Sequence, residues 1–249
     1  MCGRYAAFKE AQDLAQEFDV EVIEEAAAAY EASWNVAPTD GVRVVLDRAP
    51  KPGGSDGSTP DHVTRELHVA RWALVPSWSK DLRGRGAPMF NARIETVADK
   101  PAFAKSLGAR RCVVPADGYF EWRTQEAPDG GKPVKTPFFI HPADPGSLAF
   151  AGLYSWWRDP EKAEDDPDRW VLSTTILTQP ARDGLEAIHD REPVVLPHES
   201  VASWLDPALT RAEDALAVLA VAPPALEWFE VSARVGSVRN NDPGLIQPA

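Results

Sequence analysis

The sequence predicts a single-domain α+β protein whose core is a curved, mainly antiparallel, barrel-like β-sheet with helices at its periphery. Segments rich in Val, Ile, Phe, Tyr and Trp recur along the chain, as expected for strands. These segments do not alternate regularly with helices, which argues against a doubly wound parallel sheet. A chain of 249 residues is also long enough to bury one substantial core.

Helices are expected at four places. Residues 8–18 put Phe8, Leu14 and Phe18 at helical spacing, which indicates an amphipathic helix. Three further helices are expected at 98–107, 199–205 and 211–220. Strands are expected at 42–47, 65–75, 111–115, 118–123, 137–141, 148–156, 170–177 and 226–232.

Three polar segments interrupt this pattern. Residues 49–61 are rich in Gly and Pro, and residues 124–136 and 158–169 are polar with Pro or Gly. None of them divides the chain into two parts. We therefore expect one domain over residues 2–248, with these three loops as insertions.

The start of the chain and its cysteines indicate a cytoplasmic protein. Residues 1–30 lack the basic start and apolar stretch of a signal peptide. No run of about 18 apolar residues predicts a membrane span. Two cysteines, Cys2 and Cys112, cannot form a disulfide framework, which agrees with a reducing compartment.

The net charge of −12 is unevenly distributed. Residues 10–31 hold eight acidic side chains and no Lys or Arg, whereas residues 71–123 hold ten Lys/Arg against five Asp/Glu. The total argues against a nucleic-acid partner. The distribution allows either two ordinary solvated surfaces or an acidic face opposite a basic one.

Cys2 is the first candidate reactive residue. A small residue at position 2 permits removal of Met1, which leaves an α-amine with a pKa of about 7.7–8.0 beside a thiol with a pKa of about 8.5. The amine can attack an aldehyde to form a Schiff base, and the thiolate can then close a thiazolidine ring. An internal cysteine cannot react in this way because its nitrogen is an amide. Taken by itself, Cys2 is better explained as an incidental residue next to the start codon.

Two further segments carry candidate acid–base groups. Glu121 lies on a predicted strand between the aromatic residues Phe120 and Trp122, and such a setting raises the pKa of a carboxylate. His189 is the side-chain type best suited to proton transfer near neutral pH. Each also has a structural interpretation, as a Glu paired with an Arg and as a surface His. The histidines and cysteines lack metal-ligand spacing, so we expect no metal.

Together these segments resemble the SRAP family, the SOS response-associated peptidases or abasic-site-processing proteins. The resemblance rests on ordered motifs and extends from residue 2 to about residue 248. The motifs are Cys2-Gly3-Arg4-Tyr5, Asn35-Val36-Ala37-Pro38-Thr39, Arg71-Trp72-Ala73-Leu74-Val75-Pro76-Ser77-Trp78, Phe90-Asn91-Ala92-Arg93-Ile94-Glu95-Thr96, Gly118-Tyr119-Phe120-Glu121-Trp122, Phe150-Ala151-Gly152-Leu153-Tyr154, Ile188-His189-Asp190-Arg191 and Val238-Arg239-Asn240-Asn241. Three positions depart from the family's pattern, namely Ser79, Arg182 and Glu192.

The resemblance implies a covalent reaction with abasic sites in single-stranded DNA. It implies that Met1 is removed autocatalytically and that Cys2 forms a thiazolidine crosslink that protects the lesion during the DNA damage response. It assigns Asn91 to positioning of the reacting centre and Glu121 to acid–base catalysis of Met1 removal, Schiff-base proton transfer and slow reversal of the crosslink. The activity it implies is autopeptidase together with abasic-site crosslinking of a lyase type. His189 would protonate the ring oxygen of the closed sugar.

The resemblance also implies a set of DNA contacts. The predicted DNA-binding residues are Arg4, Pro38, Trp78, Arg93 and Arg191. Arg93, Arg110, Arg111 and Arg123 then suggest a basic groove on an acidic protein. We expect a monomer without cofactors or membrane attachment that associates with the nucleoid upon damage. Two alternatives stay open: a non-covalent single-stranded DNA-binding module, and an N-terminal-nucleophile peptidase acting on other substrates.

Overall fold

The computed structural model describes residues 2–50, 62–82, 86–127 and 130–249. Within these ranges the α-helices are α1 (Ala11–Glu17), α2 (Glu25–Ala28), α3 (Pro101–Ala109), α4 (His198–Leu205) and α5 (Ala212–Val218). The strands are β1 (Tyr5–Ala7), β2 (Val22–Ile23), β3 (Ser33–Val36), β4 (Gly41–Arg48), β5 (Thr64–Trp72), β6 (Asn91–Arg93), β7 (Arg111–Ala116), β8 (Gly118–Gln125), β9 (Val134–Pro142), β10 (Leu148–Arg158), β11 (Trp170–Pro180), β12 (Arg191–Pro193), β13 (Val195–Leu196) and β14 (Leu226–Glu230). No helix among the described residues has the length and apolar character needed to cross a bilayer.

The strands form two sheets. The smaller sheet has the order β14-β9-β8-β1-β3, and the larger one follows β12-β11-β10-β7-β4-β5-β2. A parallel pairing of β5 with β11 joins Trp72 to Thr174 and closes five strands of the larger sheet into a ring. Ten of the thirteen described pairings are antiparallel. The predicted α+β class with a curved, mainly antiparallel, barrel-like core is confirmed.

Three hydrophobic cores follow from the alternation of side chains along the strands. The central core joins the two sheets and includes Tyr5 and Tyr119 from the smaller sheet and Phe150 from the larger one. A second core packs the other face of the larger sheet against α1, α3, α4 and α5. A third, smaller core packs the smaller sheet against the C-terminal segment. The candidate reactive Cys2 belongs to the central core.

Two predicted helices have different boundaries in the structure. The helix predicted at 8–18 begins only at Ala11, because the backbone N–H groups of Phe8 and Lys9 both donate to the Asp117 carboxylate. The Phe8 ring stacks on Trp34 rather than joining the helical face. The helix predicted at 98–107 begins at Pro101, the first helical position that proline favours, and continues to Ala109.

The predicted loops are shorter than expected where they are described. Strand β8 continues to Gln125 and β9 begins at Val134, so both ends of the 124–136 loop are strand. Residues 167–169 form a 3₁₀ helix inside the 158–169 segment. Most of the 49–61 segment lies outside the described residues.

One expected part of the basic groove is wrong. Arg111 is buried, and its guanidinium donates to the carbonyl oxygens of Leu107, Trp204 and Asp206 at 2.6–2.8 Å. It therefore joins β7 to the ends of α3 and α4 and cannot meet a phosphate. Because adjacent strand residues face opposite sides, a count of charges along the sequence overstates the charge on any one face.

Candidate active site

Cys2, the first described residue, lies inside the protein rather than on its surface. Strand β1 lies between β3 and β8, with Tyr5 paired to Val36 on one side and Tyr119 on the other. This pairing draws Cys2 into the central core, where it is 0% exposed. Residues near a chain terminus are usually poorly ordered unless specific contacts hold them. The burial of Cys2 therefore indicates that specific contacts hold this part of the chain.

Asn91 is the side chain that contacts Cys2 directly. It begins β6, which is held by a short parallel pairing to Ile176 of β11. Its side-chain nitrogen donates a 2.7 Å hydrogen bond to the carbonyl oxygen of Cys2. Its Oδ1 atom is buried and accepts no hydrogen bond from the described residues. Because buried polar atoms are normally hydrogen-bonded, this oxygen is available to a hydrogen-bond donor on a reactant that enters the site.

Glu121 lies on β8 at the border of the central core. It is 5% exposed, and burial raises the pKa of its carboxyl group, an effect that the charge of His189 opposes. Burial also raises the pKa of the Cys2 thiol, and the Glu121 carboxylate adds to this effect. A carboxyl group with a raised pKa can both accept and donate a proton near neutral pH.

His189 follows a short 3₁₀ helix, Leu185–Ala187, and shares a small cavity with Glu121. Its Nδ1 atom accepts a 3.0 Å hydrogen bond from the backbone N–H of Arg191. This hydrogen bond requires an unprotonated Nδ1, which leaves the proton of a neutral ring on Nε2, whereas a contact of Nδ1 with a carboxylate requires the imidazolium. Asp190 approaches the same Nδ1 at 2.9 Å, but its carboxylate is 82% exposed and this contact is weak.

The fold thus brings Cys2, Asn91, Glu121 and His189, which lie far apart in the sequence, to one side of the central core. The group combines a thiol, an amide, a carboxyl group with a raised pKa and an imidazole. Other residues around the cavity are Trp122, Thr124, Lys135 and Gly236. Such a set can hold a carbonyl carbon and transfer protons to and from its substituents.

Trp78 and Pro38 lie on separate loops. Trp78 is 69% exposed and borders a cavity of about 470 Å³ that Leu74, Met89 and Arg71 also line. Pro38 is half-buried in a tight turn whose next residue, Thr39, has a φ of 83°. A β-branched residue in this left-handed conformation is strained, and such strain concentrates at functional sites.

The three predicted DNA-binding arginines have different surroundings. Arg93 is exposed on β6, two residues after Asn91. Arg4 donates hydrogen bonds to the side chain of Asn35 and to the carbonyl of Val235, each at 2.9 Å. Arg191 is 9% exposed and binds both carboxylate oxygens of Glu95. Of the three, Arg93 has the most accessible guanidinium.

Asn35 was part of a sequence motif but was given no role there. It is 4% exposed, and its side-chain nitrogen lies within 3.3 Å of the carbonyl oxygens of Val235, Ser237 and Asn240. Asn35 and Arg4 together hold the C-terminal segment whose Gly236 lines the cavity. In the sequence, the only sign of this contact is that Asn35 and Asn240 both belong to motifs shared with the family.

Two of the positions that depart from the family pattern contact each other. Glu192 is 5% exposed, and its carboxylate accepts hydrogen bonds from Arg182 at 2.9 Å and from Gln179 at 2.8 Å. The extra negative charge is therefore paired where it is buried, as buried charges require.

A second titratable cluster lies on the larger sheet. Ligand atoms of Glu24, Glu66 and His68 lie within 4.8 Å of one another. The Arg48 guanidinium is 3.1 Å from the Glu66 carboxylate. This positive charge disfavours a metal cation, so we assign the cluster a structural role.

Comparison with known proteins gives a consistent result. The family model described as SOS response associated peptidase (SRAP) matches residues 1–238. The chain is 34% identical over 248 residues to the Bacillus subtilis abasic site processing protein YoqW, covering 99% of each chain. It is 30% identical to the Escherichia coli abasic site processing protein YedK, covering 100% of each chain. A crystal structure of a Bacteroides thetaiotaomicron protein superposes with a TM-score of 0.76 at 25% identity, covering 100% of each chain.

Replacement of Asn35 tests how the C-terminal wall of the cavity is held. Asn35→Ala removes the donor from the carbonyls of Ser237 and Asn240, while that of Val235 keeps Arg4, so the free energy of unfolding should fall by about 2–3 kcal/mol. Hydrogen exchange over residues 235–241 should accelerate strongly. Asn241→Ala, which removes an exposed acceptor for the backbone N–H of Trp34, should cost less than about 1 kcal/mol. Unchanged exchange over 235–241 in Asn35→Ala would contradict this assignment.

Proposed function

Because the chain belongs to the SOS response-associated peptidase (SRAP) family, we propose that it captures abasic sites in single-stranded DNA by a covalent bond to Cys2. The observation that carries this proposal is the convergence of Asn91 and Glu121 on Cys2 in the central core. The names of the relatives YoqW and YedK, which are abasic site processing proteins, support the same substrate.

The first step of the proposal frees the amine of Cys2. Water adds to the Met1–Cys2 amide, and the products are free methionine and a chain that begins with Cys2. The hydrogen bond from Asn91 to the Cys2 carbonyl holds the residue in place. Glu121 accepts a proton from the attacking water and delivers it to the departing nitrogen, a role that its raised pKa suits.

The second step captures the lesion. An abasic deoxyribose is mostly a closed ring. The imidazolium form of His189 would give its Nε2 proton to the ring oxygen while a water molecule takes the proton of the C1 hydroxyl, which opens the ring to the aldehyde. The Cys2 amine attacks the aldehyde carbon, and one water leaves to give a Schiff base. The thiolate then adds to the same carbon and the nitrogen gains a proton, which closes a thiazolidine ring. Proton transfer from Glu121 in the reverse direction would reopen the thiazolidine, and addition of water to the Schiff base would slowly release the aldehyde. A lyase-type activity would be a separate step, in which the Schiff base loses a proton from the neighbouring carbon and the 3′ phosphate leaves.

The remaining contacts would hold the DNA around the lesion. The exposed Trp78 offers a surface on which a base can stack, worth roughly 1–3 kcal/mol per base. Pro38, on its strained turn, would wedge beside a neighbouring base. Arg93 and Arg4 would meet flanking phosphates, while Arg191 would act mainly by holding Glu95 and hence the segment that carries Asn91.

A denaturing gel tests the covalent reaction. The wild type, mixed with single-stranded DNA containing one abasic site, should give a heat-resistant shifted band. Cys2→Ala should give none, because it lacks the thiol that closes the ring, and a Schiff base left open at the amine hydrolyses on heating. Cys112→Ala is the matched control and should retain the band, since this second cysteine is buried and internal.

The same gel separates the alternatives. DNA binding by the wild type without any covalent band would favour a non-covalent binding module. A band that persists in Cys2→Ala would contradict the role of Cys2. Cleavage of unrelated peptides by the wild type, without a DNA band, would favour a peptidase with other substrates.

The role of His189 predicts a difference between two aldehydes. His189→Gln should slow capture of the closed abasic sugar roughly 100-fold or more, because ring opening loses its acid. Capture of a simple aldehyde, which needs no ring opening, should change by no more than a few-fold. His62→Gln, at an exposed histidine on the surface, should leave both rates unchanged. Equal slowing with both substrates would indicate a structural role for His189.

A further inference from the structure

Arg123 is a cation beside the candidate site. The sequence placed it only in a general basic groove, and no individual contact has been assigned to it above. It lies on β8 two residues after Glu121, so the two side chains share one face of the strand, about 7 Å apart along it. Residues Gly118 to Glu121 are buried, whereas Thr124 and Gln125 are exposed. Arg123 therefore stands between the buried carboxylate and the solvent from which DNA arrives.

The guanidinium of Arg123 lies against an aromatic ring. Its Cζ lies 4.9 Å from the centre of the Phe138 ring, and Phe138 is paired with Glu121 across the two strands. The Nε atom is buried and donates no hydrogen bond to the described residues. A buried donor without an acceptor is costly, so a partner that comes with a ligand would remove this cost.

We propose that Arg123 binds a DNA phosphate that flanks the captured sugar and thereby positions the lesion against Glu121. This inference rests on the proposed function. The sugar of an abasic site is flanked by a phosphate on each side, and a guanidinium can bind a phosphate through two parallel hydrogen bonds. The protein carries a net charge of −12 and would repel DNA elsewhere. A few oriented guanidinium groups must therefore supply the attraction.

The test compares Arg123→Gln with the wild type and with Lys105→Gln, which removes one exposed charge from α3 on the far side of the larger sheet. Binding to lesion-free, fluorescently labelled single-stranded oligothymidine is measured over a range of salt concentrations. Arg123→Gln should bind roughly 10-fold more weakly. Its slope of log affinity against log salt should fall by about 0.7, the value for one phosphate contact on single-stranded DNA. Lys105→Gln should change neither quantity.

A second measurement asks whether the phosphate lies next to the lesion. The rate of covalent capture is measured with DNA in which one phosphate beside the abasic site is replaced by an uncharged methylphosphonate. This change should slow the wild type roughly 10-fold at one of the two flanking positions. It should not slow Arg123→Gln any further, because the contact is already lost. Arg123→Lys should lie between the two, since it keeps the charge and loses the planar fork.

These measurements separate the two proposals. If the wild type forms no covalent band, the covalent function is contradicted. If Arg123→Gln nevertheless shows a reduced salt slope, the proposed phosphate contact still holds. Equal slopes and equal capture rates for Arg123→Gln and the wild type would overturn the role of Arg123. Equal losses in Arg123→Gln and Lys105→Gln would also overturn it, because the effect would then be one of overall charge. Arg123→Lys should also melt at the wild-type temperature, which excludes misfolding as the cause of its slower capture.

Discussion

The hydrogen bond from the Asn91 side chain to the carbonyl of Cys2 is the contact on which the site depends. It joins the first residue of the mature chain proposed here to a three-residue strand that is itself held on β11. Without this contact and the pairing of β1 with β3 and β8, Cys2 would be an ordinary mobile terminus. In the proposed reaction, fixing Cys2 as the nucleophile beside Glu121 as the acid–base group would lower the barrier by removing the entropy of bringing them together.

The same burial has an electrostatic consequence. The core that immobilises Cys2 also raises the pKa of its thiol and of the Glu121 carboxyl group. For Glu121 this shift favours proton transfer near neutral pH. For the thiol it disfavours the thiolate, which keeps the residue unreactive until a substrate brings a new environment. The buried site thus combines a reactive pair of groups with protection against unwanted reactions.

Much of the fold could be predicted from the sequence, because strands of β-branched and aromatic residues have a strong local signal. The strands at 42–47 and 118–123 lie within β4 and β8. The two- and three-residue strands β2 and β6 were missed, since segments so short carry no periodicity. The start of α1 was misplaced because the Asp117 carboxylate, more than a hundred residues away, binds the backbone before it.

The candidate site could be predicted in its residues but not in its contacts. Motifs identified Cys2, Asn91 and Glu121, while their meeting in space depends on long-range strand pairing that no local pattern encodes. The sequence also does not show whether an arginine side chain points into the protein or towards the site. Arg111 points into the protein and Arg123 lies at the site, although both belong to one basic segment of the sequence. The pairing of Arg182 with Glu192 needed the register of β11 and β12.

The central claim is that this site frees and uses the amine of Cys2, and the mass of the intact protein tests it most directly. The wild type and Glu121→Gln would be translated in a reconstituted system without methionine aminopeptidase, and their masses followed over time. The account predicts that the wild type loses Met1 while Glu121→Gln retains it over the same period. Retention of Met1 by the wild type, or its loss from both proteins at the same rate, would contradict the account.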